Sequence, residues 1–239
     1  MNEEGLTLVD HLSELRRRIL VIFFSLFVTS AGAFYFIDKI QGWVLRTGAG
    51  VDFVYLSPPE LLMAHIRLAI TMGFFVTFPL ILFQVWAFII PGIGKKQKWF
   101  LFFAIFFGTF FFFGGMIFAY FLIIPLSVDF FVGMASESVR PLFSFTSYVG
   151  FVSSILLAFG VAFELPMLVL LLTKFNLVKP KLLRKFRKYV LLGVVVLSAV
   201  LTPPDIISQL LLAGPMMLLF ELSIWVSAVI YRKKLKEKD

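Results

Sequence analysis

Glu164 stands in "VAFELPMLVLLL" (161–172), with no charged residue within nine positions on either side. A lone acid in an apolar run can carry a proton, meet a cation, or hydrogen-bond between helices in its protonated form. An ionised carboxylate at the centre of a membrane-inserted helix costs at least ~2.5 kcal/mol, so such residues face a protein interior or a wet cavity and mark function by default. Gln84, Gln209, His65 and Arg67 are polar groups in other apolar segments that could meet it, and the sequence does not pair them. Glu221 lies nearer the end of its own apolar segment, where a structural role is the simpler reading.

A second group lies near the N-terminus in "HLSELRRRIL" (11–20). His11, Glu14 and Arg18 fall at i, i+3 and i+7 on one helix face, with Leu12, Leu15 and Ile19 on another. The spacing fits an interfacial helix with a Glu14–Arg18 pair, and it also leaves Glu14 able to meet a basic partner. "SPPE" (57–60) and "TPPD" (202–205) each place a hydroxyl residue three positions before an acid, with prolines between. That pattern starts a helix sharply. No G-x-S-x-G, H-E-x-x-H or phosphate-cradling loop is present. There is no cysteine, and His11 and His65 are expected on opposite sides of a membrane. No catalytic residue, metal site or cofactor is therefore expected, and the chain reads as a non-enzyme.

The elements that must position these residues are membrane helices. Of 239 residues, 60% are hydrophobic, 15% are charged and 32 are Phe, more apolar surface than one soluble core of this size can cover. A span needs about 20 apolar residues. Six segments qualify with uneven lengths, at about 19–37, 60–90, 99–125, 146–173, 189–201 and 206–231. The expected fold is an all-α single transmembrane domain over 1–239. It is a concave bundle kinked at Pro79, Pro125, Pro166 and Pro215, with short helices five and six. The second span, near 30 residues, must tilt, bend or protrude. The fifth, near 13 residues, reaches only about 20 Å, so the bilayer thins beside it or its basic flank moves to the interface.

Charge orients the bundle. Eighteen of the 22 Lys and Arg lie before the first span, between spans two and three, between four and five, and after six. The opposite loops hold Lys39, Arg46 and Arg140, and Arg67 sits inside the second span. Cytoplasmic loops carry the basic excess, so both termini are expected in the cytoplasm. The acid-containing N-terminus lacks the small-residue cleavage site of a signal peptide, so the first span is expected to be retained. The net charge of +8 then serves orientation rather than nucleic-acid binding.

"HLSELRRR", "PLILFQVWAFIIPGI" (79–93), "GGMIFAYFLIIPL" (114–126), "AFGVAFELP" (158–166) and "LTPPDIISQLLLAGP" (201–215) follow one another in an order and spacing that resemble the TatC family. TatC is the multispanning subunit of the twin-arginine protein translocase. The resemblance covers nearly the whole chain. It implies a receptor for twin-arginine signal peptides of folded cargo. It also implies a scaffold that joins TatA- and TatB-type single-span partners in an oligomeric complex of the bacterial plasma membrane, driven by the proton-motive force. It implies that Glu14 contacts the twin arginines beside Arg16 and Arg18, and that Phe88 and Pro91 shape the signal-peptide site. By the same resemblance Glu164 is the family's membrane-embedded acid in a concave groove. Pro79, Gln84, Tyr120, Pro125, Asp205 and Gln209 match positions with structural or partner-contact roles.

One position departs from the family pattern. The family carries a glutamate after "PGIG" as the second acid for the arginine pair, and this chain has Gln97 within "KKQK". Lys95, Lys96 and Lys98 crowd it with positive charge. Either Glu14 carries the attraction, with Asp10 as its aid, or this loop binds differently. The rival function is a proton-coupled small-solute transporter with Glu164 as proton carrier. Transporters of that kind are often built from internal repeats, and this sequence has none.

Overall fold

In the computed structural model the described residues are 8–48, 50–89, 95–134, 141–175, 177–201 and 206–236. The apolar runs become long helices, because in lipid a helix satisfies its own backbone donors and acceptors. The first, α1 (Leu8–Tyr35), begins well before the apolar run expected at 19–37. "HLSELRRR" contains no helix breaker, so the basic segment continues the helix rather than preceding it. A short helix, α2 (Ile37–Arg46), was expected as loop. It buries Ile40 and Val44 and leaves Asp38 and Lys39 exposed, the pattern of an amphipathic surface helix.

The expectation of an all-helical chain needs one correction. Asp52–Val54 (β1) and Leu142–Ser144 (β2) pair in parallel, with Phe53 opposite Phe143. Three-residue strands carry too little periodicity to be read from sequence. Glu60 fastens this pair to the next helix, α3 (Pro58–Ile89). Its carboxylate accepts from the Ser144 hydroxyl at 2.6 Å and from the Leu56 backbone N–H at 2.7 Å, and its carbonyl accepts from the Thr146 hydroxyl at 2.9 Å. The "SPPE" acid thus reaches back over the helix start and also across to β2. The matching "TPPD" segment lies outside the described residues.

The third expected span divides into α4 (Lys95–Phe118), a π-helical turn at Ala119–Ile123, and α5 (Ile124–Gly133). Pro125 has no N–H for the preceding turn, and the widened turn absorbs the mismatch while the helix runs on. The fourth divides at Glu164 into α6 (Phe145–Phe163) and α7 (Leu165–Lys174). Helices α8 (Pro180–Leu201) and α9 (Ile206–Lys236) follow, of 22 and 31 residues. They are longer than the short helices five and six expected, because the basic runs beside each apolar segment are helical too. Among the described residues five helices are long and apolar enough to cross a membrane, within α1, α3, α4–α5, α6–α7 and α9. Helix α8 is not among them, since Lys181, Arg184, Lys185, Arg187 and Lys188 crowd its first half.

The core forms around α6, whose Val149, Val152, Ile155 and Phe159 are fully enclosed. Phe78 of α3 stacks on Phe112 of α4 beside them, with ring centroids 3.5 Å apart. Helix α1 packs along α3 and exposes Phe23, Phe24 and Phe27 on its other side. Helix α9 packs against α7 and α8. The buried hydroxyls of Thr173 and Ser227 meet at 2.7 Å between α7 and α9. Side-chain oxygens joining helices in this way stabilise membrane packing by roughly 1 kcal/mol.

Candidate functional site

The amphipathic start of α1 is held against the end of α3. Arg18 donates through Nε to Glu14 Oε1 at 3.0 Å, and Nη2 pairs with the same oxygen. Nη1 donates to Gln84 Oε1 at 2.9 Å and Nη2 to the Ala87 carbonyl at 3.2 Å. One guanidinium therefore joins two helices, as its planar fork of donors allows. Both contacts to Glu14 fall on Oε1, and Oε2 receives no hydrogen bond among the described residues. The Glu14 side chain is 33% exposed. The helices approach closely farther along. A Cβ on Gly73 would overlap Ser30 Oγ and lie 2.7 Å from its backbone nitrogen. The Thr29 hydroxyl lies 2.8 Å from that of Thr77 and donates to the Gly73 carbonyl at 3.0 Å.

Glu164 occupies the joint between α6 and α7. Its N–H donates to the Val161 carbonyl at 3.1 Å, and its own carbonyl accepts from Leu168 at 2.9 Å. Pro166 sits in the first turn of α7 and contributes no donor. The side chain points at α4. A Cβ on Gly108 would lie 3.1 Å from Glu164 Oε2 and 3.0 Å from Leu82 Cδ1. Gly108 thus makes the space for the carboxylate. Oε1 is enclosed and has no hydrogen-bond partner among the described residues, and the Thr109 hydroxyl of α4 is in the same condition. Thr109 also lines an apolar cleft of about 720 Å³ bounded by Phe83 of α3 and by Phe102, Phe106, Phe110 and Phe113 of α4.

None of the four polar groups considered for Glu164 is hydrogen-bonded to it. Gln84 binds Arg18, His65 meets Gln41 at 2.7 Å, and Arg67 donates to Ser154 at 3.4 Å. Gln209 is half-buried on the first turn of α9. Glu221 pairs with Arg187 between α8 and α9, the structural role its position favoured. Of the other family-matched residues, Arg16 is exposed and Phe88 is half-buried near the end of α3, within one turn of Gln84. Gln97 lies in the first turn of α4. Pro79 is internal to α3, and Pro125 follows the π turn. Tyr120 donates its hydroxyl to the Trp43 carbonyl at 2.8 Å, fixing α2 to the π turn. Pro91 and Asp205 lie outside the described residues.

Two contacts escaped the sequence reading, the Arg18–Gln84 bridge and the Gly108 notch. Each depends on how two helices are rotated against one another, and no local spacing encodes that. The glycine in a Phe-rich helix was the one legible signal for the second.

The sequence model of the family described as "Sec-independent protein translocase protein (TatC)" matches residues 10–215. Curated relatives of that description include a protein of Halalkalibacterium halodurans, 36% identical over 98% of this chain and 93% of the relative. The Aquifex aeolicus protein is 34% identical over 95% of this chain and 97% of its own length. The Bacillus subtilis protein TatCd is 32% identical over 100% and 98%. A crystal structure described as the twin arginine translocase receptor TatC superposes with a TM-score of 0.82 at 32% identity, covering 92% of this chain and 98% of that one. A second, described as that receptor in DDM, superposes with a TM-score of 0.83 over 91% and 99%. The chain is a multi-pass membrane protein of the TatC family, a component of the Sec-independent protein translocase and not an enzyme.

Proposed function

We propose that this chain is the receptor of its translocase for twin-arginine signal peptides, with Glu14 as the docking carboxylate. The observation that carries this reading is the part-exposed carboxylate of Glu14, held by an Arg18 that is itself anchored on Gln84 and Ala87. A guanidinium of the signal peptide would pair with that carboxylate in a charge-assisted bond. Arg16 and Arg17 beside it and the lysines of "KKQK" favour acidic or hydroxylic flanks on the peptide over further basic ones. Phe88 and Pro91 would shape the entry, with Gln97 as an uncharged acceptor. The apolar stretch of the peptide would lie toward the Phe-lined cleft that Thr109 borders, and Glu164, set against Gly108 of the same helix, would be the embedded acid of the groove.

In this reading the chain crosses the plasma membrane six times, with α8, whose apolar part is short, as the fifth span, and both termini are cytoplasmic. The basic residues of α8 and of the first turn of α4 support that orientation. TatA- and TatB-type single-span proteins would join an oligomer of this scaffold, and the proton-motive force would drive passage of folded cargo. Site-specific crosslinking from positions beside Glu14 and Phe88 tests the receptor role. A twin-arginine signal peptide should label strongly and a twin-lysine control weakly. Equal labelling of the two would defeat it.

A further inference from the structure

The end of α9 and the start of α8 enclose a cleft of about 550 Å³, lined by Lys179, Pro180, Lys181, Arg184, Tyr231 and Arg232. Four cations converge there, and among the described residues no carboxylate lines the cleft. Glu221, the nearby acid on α9, is already paired with Arg187. The N-terminus of the 22-residue helix α8 also opens there, adding the positive end of its dipole. Gathering like charges in one cleft is unfavourable unless an anion offsets them.

The surroundings indicate which anion. Beyond the basic turns, α8 exposes Leu191, Leu192, Val195, Val196 and Val200. Tyr189 lies beneath the Lys188 ammonium at 5.0 Å, and Tyr231 lines the cleft; such aromatic rings are enriched where head groups meet acyl chains. A phosphate alone would use the cations and leave the apolar wall unused. We propose that this cleft binds the phosphate head group of an anionic phospholipid whose acyl chains lie along α8. Basic pockets between membrane helices hold anionic head groups in this manner. The bound lipid would also cover a helix whose apolar part is too short to match the bilayer unaided.

The test uses the full chain purified in uncharged detergent. Native mass spectrometry would titrate dioleoyl phosphatidylglycerol, dioleoyl phosphatidylcholine and inorganic phosphate against it. Phosphatidylglycerol should bind more tightly than phosphatidylcholine. Lys181→Gln combined with Arg184→Gln should weaken it by about fivefold per charge removed. Arg184→Lys should keep the wild-type affinity. Lys185→Gln, an exposed charge of the same helix outside the cleft, should change it by under about twofold. Thermal unfolding of each variant shows that the fold is intact. Equal affinity for the two lipids would overturn the proposal. So would equal losses from Lys185→Gln and Arg184→Gln, or tight binding of inorganic phosphate that phosphatidylglycerol cannot displace.

Discussion

Arg18 donates to Gln84 across 66 positions of sequence, at 2.9 Å. That bond ties the first turns of α1 to the last turns of α3 and sets where Glu14 stands. A carboxylate on a free helix end would sample many positions, and this one is braced from the neighbouring helix.

Gln84→Leu removes the brace and leaves Glu14 in place. A hydrogen bond to a charged group contributes about 1 kcal/mol at this exposure, so binding of a twin-arginine peptide should fall about fivefold. Peptide titration against the purified chain checks this. Unchanged affinity would mean that Gln84 does not position the carboxylate.

Gln97→Glu restores an acid where the family pattern has one. Binding of the twin-arginine peptide should be preserved or strengthened, because the new charge offsets Lys95, Lys96 and Lys98. Clear weakening in the same titration would show that this loop does not face the arginine pair.

Gly108→Ala places a Cβ against Glu164 and Leu82. Overpacking of this kind costs about 1–3 kcal/mol, partly offset by the better helix propensity of Ala. Glu164→Ala in the same chain vacates the space, so the two losses should not add. Thermal unfolding of the single and double variants reads the coupling, and simple additivity would separate the two residues.

Gly73→Ala should be far more damaging than Gly32→Ala. The first drives a Cβ into the backbone of Ser30, and the second meets nothing within 4 Å. Rigid backbone cannot give way as a side chain does, so α1 must move off α3. Gly32→Ala should be neutral or stabilising by up to about 1 kcal/mol. Comparable melting temperatures for the two variants would contradict the close crossing.

Glu164→Gln keeps a polar group in the Gly108 notch and removes the ability to ionise. If the carboxylate is a polar wall for an inserted peptide, export of a folded reporter should persist. If export requires its titration, activity should be lost. Export assays with Gln and Ala side by side distinguish these, since Ala removes both properties.

Much of this was legible in the residues alone. The helical class follows from apolar runs longer than any soluble core requires, and the family follows from five ordered motifs. The Glu14–Arg18 pair was readable because i, i+4 neighbours share a helix face whatever surrounds them. Local periodicity also held the signal for α2, in Ile37, Ile40 and Val44, although its length falls below that of a span. The β1–β2 pair, the π turn before Pro125 and the helical basic run of α8 needed the folded chain. So did the Arg18–Gln84 bridge and the Gly108 space that admits Glu164. Sequence spacing reports which residues share a face of one helix. The rotation and tilt that bring two faces together are set by packing across the whole bundle, and there the tertiary structure alone decides.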